Sequence, residues 1–318
     1  MKQAKASAPG KIILFGEHAV VYQRPAIAIP IHQVQATATL IEDHAHPNNG
    51  LFIQAPQINL QGAYNAIPAE HPISLLLRLI LEFLHIEKVP DLTLALESTI
   101  PLASGMGSGA AISVAAIRAF STFFDSPLTR EQVNSIAFQV EKKYHGTPSG
   151  IDNTVITYEQ PIYFVRGTPF QRLQLGQPMT IMIADSGIPS TTLEVVADVR
   201  RGWQEDPQTF EALFDEISDI SMQARQILEH GPVADLGPLM NANQQALRKM
   251  GVSSPRLDYL VDAALFSGAL GAKLSGGGRG GNIIALAEPD LAGEIAHALQ
   301  QAGATHIITT TETPNNHE

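Results

Sequence analysis

The first segment of the sequence that could do chemistry is rich in glycine. It reads Gly105-Met106-Gly107-Ser108-Gly109-Ala110-Ala111 and lies between a predicted strand and a predicted helix. Glycines let backbone N–H groups approach an anion closely, and a helix N-terminus adds unpaired donors and a partial positive charge. The pattern therefore favours a phosphate ligand, although a tight structural turn explains an isolated loop of this kind equally well.

Two named phosphate motifs do not describe this segment. A Walker A loop ends in Gly-Lys-Ser or Gly-Lys-Thr, and the chain contains neither sequence. The dinucleotide fingerprint is matched by letter at Gly105, Gly107 and Ala110, with Asp125 at a suitable distance. Asp125, however, is predicted in a turn between two helices and not after the second strand of a βαβ unit. A nicotinamide-nucleotide site is therefore disfavoured.

A second glycine-rich segment, Gly276–Gly281, lies between two predicted strands. Five of its six residues are glycine, which requires permissive backbone dihedrals or very close approach to something else. A plain hairpin needs only one or two glycines, so either a ligand or a closely packed backbone is favoured. Arg279 within the segment would suit an anion.

Two carboxylates and a lysine complete the set of candidate residues. Glu141 stands at the C-terminal end of a predicted helix, where the helix dipole disfavours a carboxylate. Asp152 follows a Pro/Gly turn and precedes an apolar run predicted to be a strand, and taken alone it is most simply a turn cap. Lys11 begins a hydrophobic strand that leads to Glu17 and His18. A phosphate cradle, a metal ligand, a base and a cation are together the parts of a phosphoryl-transfer site.

Strands and helices that position these residues follow from the hydrophobic pattern. Strands are predicted at 12–15, 26–29, 34–40, 92–96, 154–157, 162–165, 180–184, 272–274, 283–286 and 306–308. Helices are predicted at 73–86, 110–124, 130–144 and 290–301, with helical segments between 192 and 266. Because strands and helices do not alternate regularly, the fold class is α+β with mixed β-sheets. A polar stretch rich in Pro and Gly near 167–178 predicts domains at 1–167 and 168–318.

Composition limits the partners of this 318-residue chain. Charged residues make up 16% of it and the net charge is −11, which disfavours nucleic acid and anionic membranes as partners. Cysteine is absent, so thiolate zinc sites and cysteine nucleophiles are excluded. No signal-peptide pattern and no apolar run of roughly 18 residues occurs, so a cytoplasmic protein is expected.

Four segments, in order along the chain, resemble the motifs of the mevalonate kinase family within the GHMP superfamily of small-molecule kinases. They are Ala8–Tyr22, Pro101–Ser108, His145–Asn153 and Lys273–Gly281. The glycine-rich segments alone indicate only the superfamily. The runs Glu17–Tyr22 and His145–Asn153 narrow the resemblance to the mevalonate kinases.

The resemblance implies a two-domain GHMP kinase fold with ATP in a cleft between the domains. It implies transfer of the γ-phosphoryl group to the primary hydroxyl of (R)-mevalonate, giving 5-phosphomevalonate and ADP on the route to isoprenoids. Mg²⁺ as cofactor and a homodimer are further implications.

The resemblance also implies a role for each matching residue. Asp152 would accept the hydroxyl proton, and Lys11 beside it would keep that carboxylate ionised and stabilise the transferring charge. Ser108 and Glu141 would hold Mg²⁺, and Glu17 and His18 would lie near mevalonate. The nucleotide would bind Pro101, Ser104, Gly105, Met106, Gly107, Ser108, Gly109, Ala110, Gly277, Gly278 and Arg279.

Three residues of the glycine-rich segments depart from the family pattern, and one of them is Gly277, which replaces a common alanine. The family loop usually reads Gly-Ser-Ser-Ala, and Gly109 replaces its second serine, so Ser108 or a water would supply the missing hydroxyl. Arg279 is unusually basic for its position, which predicts a contact with a phosphate.

Three other functions remain open at this point. A sister GHMP kinase acting on phosphomevalonate or a sugar would keep the fold and the nucleotide site. A Rossmann-type dehydrogenase would need the βαβ order that the pattern lacks. A non-catalytic anion-binding module would have no need of Lys11 and Asp152 together.

Overall fold

The computed structural model describes residues 2–43, 50–101, 103–145, 148–190 and 192–314. They form two compact units, each assembled from separate stretches of the chain. The first unit contains the residues up to Gly10, Val34–Pro101 and Gly107–Glu159, and the second contains Lys11–Gln33, 103–106 and the residues from Gln160 onward. Strands β1 (Gln3–Phe15) and β2 (Ala26–Glu42) contribute residues to both units.

The first unit contains a sheet segment in which hydrophobic alternation buries one face. Its further strands are β3 (Leu51–Ala55), β4 (Leu60–Ala63) and β5 (Leu92–Ser98). The later half of β2 pairs antiparallel with β5, β5 pairs parallel with β3, and β3 pairs antiparallel with β4. The expected strands 26–29 and 34–40 are parts of the single strand β2, and β3 and β4 were not predicted.

Four helices belong to the first unit among the described residues: α1 (Pro72–Phe83), α2 (Ser108–Phe123), α3 (Arg130–His145) and α4 (Ile151–Tyr158). A predicted capping box starts α3. The N–H of Thr129 donates to Oε1 of Gln132 over 2.8 Å, and the N–H of Gln132 donates to Oγ1 of Thr129 over 3.3 Å. Helices α2, α3 and α4 pack against one another.

The predicted strand at 154–157 is wrong, because these residues lie in α4. Gly150 takes a left-handed conformation with φ 92° and starts the helix. Thr154 donates its Oγ1 hydrogen to the Gly150 carbonyl over 2.6 Å, a bond typical of threonine within a helix. Seven of the eight residues of α4 are buried, and such an apolar run is compatible with either a strand or a helix on its pattern alone. Asp152 therefore lies in the first turn of a helix, and not before a strand.

The second unit contains a sheet whose described strands are β8 (Met179–Asp185), β9 (Gly271–Ser275), β10 (Asn282–Ala287) and β11 (His306–Glu312). They are antiparallel in the order β11-β8-β10-β9. Elsewhere in this unit, β6 (Ile162–Phe164) pairs with Ala26–Ala28 and with β7 (Gln171–Arg172).

The helices of the second unit are α5 (Thr192–Glu205), α6 (Pro207–His230), α7 (Leu236–Lys249), α8 (Pro255–Phe266) and α9 (Ala292–Gln301). Both α7 and α8 pack on β9, the edge strand of the sheet. Asn241 and Gln244 of α7 accept hydrogen bonds from the N–H groups of Ala272 and Leu274 over 3.0 and 2.9 Å. These side chains satisfy the edge donors that no neighbouring strand can reach.

Within the described ranges, no helix is long and apolar enough to cross a membrane. The division of the chain into domains at residue 167 stays a prediction.

Candidate active site

Within the second unit, the start of the first glycine-rich segment lies against the second segment. Nδ2 of Asn282 donates to the Ser104 carbonyl over 2.8 Å. A Cβ on Gly281 would stand 2.7 Å from that carbonyl oxygen, and a Cβ on Gly105 would stand 3.7 Å from the carbonyl oxygen of Ser275. The 2.7 Å distance leaves no room for a side chain, which explains glycine at position 281, whereas the 3.7 Å distance at Gly105 is ordinary van der Waals contact.

Close backbone packing also explains other glycines in the segment Gly276–Gly281. A Cβ on Gly278 would stand 2.1 Å from the Val252 carbonyl oxygen, and one on Gly280 would stand 2.5 Å from the carbonyl oxygen of Ile188. Gly278 also has φ +83°, a conformation that side chains strongly disfavour. A packed backbone, one of the two expected interpretations, therefore accounts for these positions.

Arg279 is held on this loop by contacts within the protein. Its Nη1 lies 2.5 Å from Oδ2 of Asp198, and its Nε donates to the Gly251 carbonyl over 3.3 Å. The hydrogen bond from Arg279 lowers the pKa of Asp198. The side chain of Arg279 remains 41% exposed, so its contact with a phosphate stays a prediction.

Lys11 joins the first glycine-rich segment within the second unit. Its backbone N–H donates to the Met106 carbonyl over 3.0 Å, and the residue is 3% exposed. Charge interactions of a buried lysine are much stronger than those of a solvated one. Lys11 therefore lies beside the start of the first glycine-rich segment.

Glu17 and His18 follow β1 and are both buried. The side chain of Glu17 is fully buried and accepts a hydrogen bond from Nζ of Lys273, which is equally buried. Burial raises the pKa of Glu17, and the charge of Lys273 opposes that shift. Lys273 was missed as a site residue, although it opens the last of the four segments singled out above and stands alone as a charge within an apolar strand.

His18 is neutral at physiological pH because burial lowers its pKa to about 4. Its Nε2 lies 3.0 Å from the Gly277 carbonyl oxygen. Since a carbonyl only accepts, Nε2 of the neutral ring carries the hydrogen and donates it. This bond ties His18 to the second glycine-rich segment.

The first unit holds the remaining candidates, which are Pro101, Gly107–Ala110, Glu141 and Asp152. Gly107 has φ 77° and precedes α2, so that Ser108 is the first residue of the helix. Oε1 of Glu141 lies 3.9 Å from the point where a Cβ on Gly109 would stand. The carboxylate at the end of α3 is therefore near the positive end of α2, which offsets the unfavourable dipole of its own helix.

The chemistry of this donor set fits Mg²⁺ carried by phosphates. Mg²⁺ prefers oxygen ligands and is usually held by one or two carboxylates together with substrate phosphates and water. In the parts of the chain that the structure describes, no group of three or more His, Cys, Asp or Glu residues could hold a metal by itself. The Glu141 carboxylate and the Ser108 hydroxyl are two oxygen donors at the start of α2.

Two of the four segments that resemble the family extend beyond what the structure describes, since Leu102, Gly146 and Thr147 lie outside the described residues.

The structure also bears on the dehydrogenase alternative. The element that follows α2 is α3, and Asp125 lies between these helices in an ion pair with Lys2 of 2.7 Å. A βαβ unit is therefore not formed at this glycine loop.

Comparisons with known proteins find two family models. The GHMP kinases N terminal domain matches residues 74–160, and the GHMP kinases C terminal domain matches residues 224–305. A mevalonate kinase of Pyrococcus abyssi is 35% identical over 96% of this chain and 94% of its own length. A mevalonate kinase of Saccharolobus solfataricus is 31% identical over 89% of each chain.

Solved structures agree with these relatives. The crystal structure of L. major mevalonate kinase in complex with R-mevalonate is 35% identical, covers 98% of this chain and 96% of its own, and has a TM-score of 0.84. A Streptococcus pneumoniae phosphomevalonate kinase has a TM-score of 0.82 over 96% of this chain and 99% of its own, but it is 14% identical and therefore shares the fold alone.

Proposed function

Because the chain belongs to the mevalonate kinase family of GHMP kinases, we propose that it transfers the γ-phosphoryl group of ATP to the primary hydroxyl of (R)-mevalonate. The products are 5-phosphomevalonate and ADP. The observation that carries the proposal is 35% identity to a mevalonate kinase along 96% of the chain. A structural relative with R-mevalonate bound supports the choice of substrate.

In this reaction Asp152 accepts the proton of the hydroxyl as its oxygen attacks the γ-phosphorus. A new O–P bond forms, the bond from the γ-phosphorus to the β–γ bridging oxygen breaks, and ADP leaves. A positioned base contributes roughly 10²–10⁴-fold to such a rate. The place of Asp152 in the first turn of α4, where the helix dipole favours a carboxylate, supports this role.

Lys11 supplies a positive charge to the transferring phosphoryl group in this proposal. The burial of Lys11 and its backbone bond to Met106 support the role, because a fixed charge away from water stabilises a transition state without reorganisation. Glu17 and His18 form the side on which mevalonate binds.

The nucleotide binds along the glycine-rich segments, with its phosphates at the start of α2. Backbone N–H groups at this helix start are suited to phosphate oxygens. The residues assigned to the nucleotide are Pro101, Ser104, Gly105, Met106, Gly107, Ser108, Gly109, Ala110, Gly277, Gly278 and Arg279. This assignment is supported by the contacts of Asn282 and Gly281 with the Ser104 carbonyl, which join the second glycine-rich segment to the start of the first.

Ser108 and Glu141 hold Mg²⁺ in the proposal. The bound ion would neutralise charge on the phosphates as ADP leaves. The closeness of Glu141 to the start of α2 supports this assignment.

We extend the proposal to the domain organisation, the oligomeric state and the location of the protein. Domains 1–167 and 168–318 are supported by the two family models, which match 74–160 and 224–305 and so fall one in each domain. We infer a homodimer from the family, and a cytoplasmic location from the use of ATP.

The identity of the product tests the proposed function. The purified protein is incubated with ATP, Mg²⁺ and (R)-mevalonate, and ³¹P NMR follows the phosphate groups. Equal amounts of ADP and a phosphomonoester on the primary carbon are expected. Product formed from phosphomevalonate, galactose or homoserine but not from mevalonate would assign the chain to a sister kinase instead.

A further inference from the structure

The chain makes a strained corner where β1 ends. Gly16 has φ +97°, and a Cβ there would stand 2.4 Å from Cα of Ala26. His18 has φ 60° and ψ −48°, the rare and strained conformation of a γ-turn, and the Ala19 N–H donates to the Glu17 carbonyl across it over 2.7 Å. Such backbone persists only where surrounding contacts enforce it, and it concentrates at functional sites.

Three contacts from β9 and the loop after it hold this corner. Alternate residues of a strand point to one face, and positions 273, 275 and 277 all reach the segment 13–18. Oγ of Ser275 accepts from the Ile13 N–H over 3.1 Å and donates to the Ile13 carbonyl over 3.0 Å. Gly277 accepts from His18 over 3.0 Å, and Lys273 donates to Glu17.

The contact between Lys273 and Glu17 is the charged one of the three. Both side chains are 0% exposed, and Nζ of Lys273 also donates to the Leu274 carbonyl over 2.6 Å. Burying two charges is unfavourable enough that apolar residues of similar size would often stabilise a fold as well. A buried ion pair is therefore explained better by the geometry that it fixes than by the stability that it adds.

The second glycine-rich segment has anchors of its own. The Arg279 N–H donates to the Val252 carbonyl over 2.8 Å, and the Gly281 N–H donates to the Ile188 carbonyl over 2.7 Å. Loss of the Lys273 charge would leave these bonds in place. It would release the corner at Glu17, whose second carboxylate oxygen, Oε2, has no hydrogen-bond partner among the described residues.

We propose that Lys273 is a positioning residue for the substrate, which through Glu17 fixes the corner and the ring of His18. The inference rests on the proposed function, since it takes Glu17 and His18 as the side on which mevalonate binds. Loss of Lys273 should therefore weaken the binding of mevalonate and leave the binding of ATP unchanged. Loss of a purely structural lysine would affect both.

Steady-state kinetics of Lys273→Met test the proposal. We expect the KM for mevalonate to rise about tenfold or more, while the KM for ATP stays within about twofold. Glu17→Gln should give a similar pattern, and adding Lys273→Met to it should change little more, because the two residues act as one unit. Lys249→Met is the matched control, since it removes an exposed lysine 3.6 Å from Glu216 on the same unit.

The possible results distinguish failure of this inference from failure of the proposed function. An unchanged KM for mevalonate in folded Lys273→Met, equal rises in both KM values, or additive effects of the two substitutions would overturn the inference. If Lys273→Met does not fold, the double variant Glu17→Gln/Lys273→Met can be used, because it leaves no unpaired buried charge. A normal KM for mevalonate in the double variant would also overturn the inference. Failure of the wild type to phosphorylate mevalonate would instead overturn the proposed function, and the inference with it.

Discussion

The carboxylate of Glu141 faces the backbone of Gly109, with Oε1 3.9 Å from the point where a Cβ would stand. Gly109 lies in the first turn of α2 and takes the place of a serine in the usual family loop. A hydroxyl at this position would therefore be directed toward the carboxylate proposed to hold Mg²⁺. The relationship links a departure in the sequence to a measurable metal dependence.

Gly109→Ser should lower the Mg²⁺ concentration needed for half-maximal activity by roughly fivefold, since one added oxygen donor is worth about 1 kcal/mol. Mg²⁺ titration of turnover at fixed ATP measures the effect. Gly109→Ala is the matched control, because both substitutions replace a helical glycine and share any gain in helix stability. Identical titrations of the two variants would contradict the role given to this position.

Ser108→Ala tests the hydroxyl that the chain retains. Turnover should fall and the Mg²⁺ requirement should rise, because an oxygen donor at the helix start is lost. Ser113→Ala provides a comparison on the same helix, since Oγ of Ser113 bonds only the Gly109 carbonyl among the contacts described. If Ser108→Ala kept both the wild-type turnover and its Mg²⁺ dependence, Ser108 would have no part in holding the metal.

Arg279→Ala should raise the KM for ATP by a few-fold, because the proposal gives this guanidinium a phosphate to bind. Asp198→Asn should act in the opposite direction. It weakens the 2.5 Å ion pair that competes for Arg279, so the KM for ATP should fall. Initial rates measured over a range of ATP concentrations give the KM for ATP of each variant. An unaltered KM in Arg279→Ala would count against the phosphate contact.

Stability should depend on pH through His18. Its pKa is lowered to about 4 in the folded protein by burial, whereas an unfolded histidine titrates near 6.5. Below about pH 6.5 the unfolded chain therefore binds a proton that the folded chain does not, so the free energy of unfolding falls as the pH drops toward 4. The contribution lost between about pH 7 and about pH 4.5 is on the order of 2–3 kcal/mol.

Denaturant unfolding of His18→Asn at the two pH values measures this contribution. Asparagine keeps a side-chain N–H donor and does not titrate, so the stability of His18→Asn should fall less with acidification than that of the wild type. Parallel losses in the two proteins would show that His18 does not bind the proton differently in the folded and unfolded chains.

Local signals in the sequence predicted most of the elements around the site. The reciprocal bonds of Thr129 and Gln132 are present as expected, and the helix after Gly107 begins at Ser108. Such features depend on neighbours within a few residues, and their physical cause is therefore visible in the sequence. The helix at 154–157 could not be predicted in this way, because its helical state depends on burial against α2 and α3.

The candidate site residues could be chosen from the sequence, whereas the contacts between them could not be predicted. The sequence indicated that two glycine segments bind or pack closely, yet the pairing of Asn282 with Ser104 joins residues 178 positions apart. Lys273 lies 256 positions from Glu17, and no local pattern relates them. Contacts at this separation depend on the tertiary fold, which is why the lysine was not recognised as part of the site.

The most direct test of the central claim compares wild type with Asp152→Asn in a coupled assay of ADP release. Asp125→Asn serves as the control, since it alters an aspartate 81% exposed and remote from the proposed chemistry. The wild type and the control should release ADP only with mevalonate among mevalonate, phosphomevalonate, galactose and homoserine. In Asp152→Asn, with folding verified by thermal unfolding, the rate should fall by roughly 10²–10⁴-fold. Full activity of Asp152→Asn with mevalonate would contradict the account.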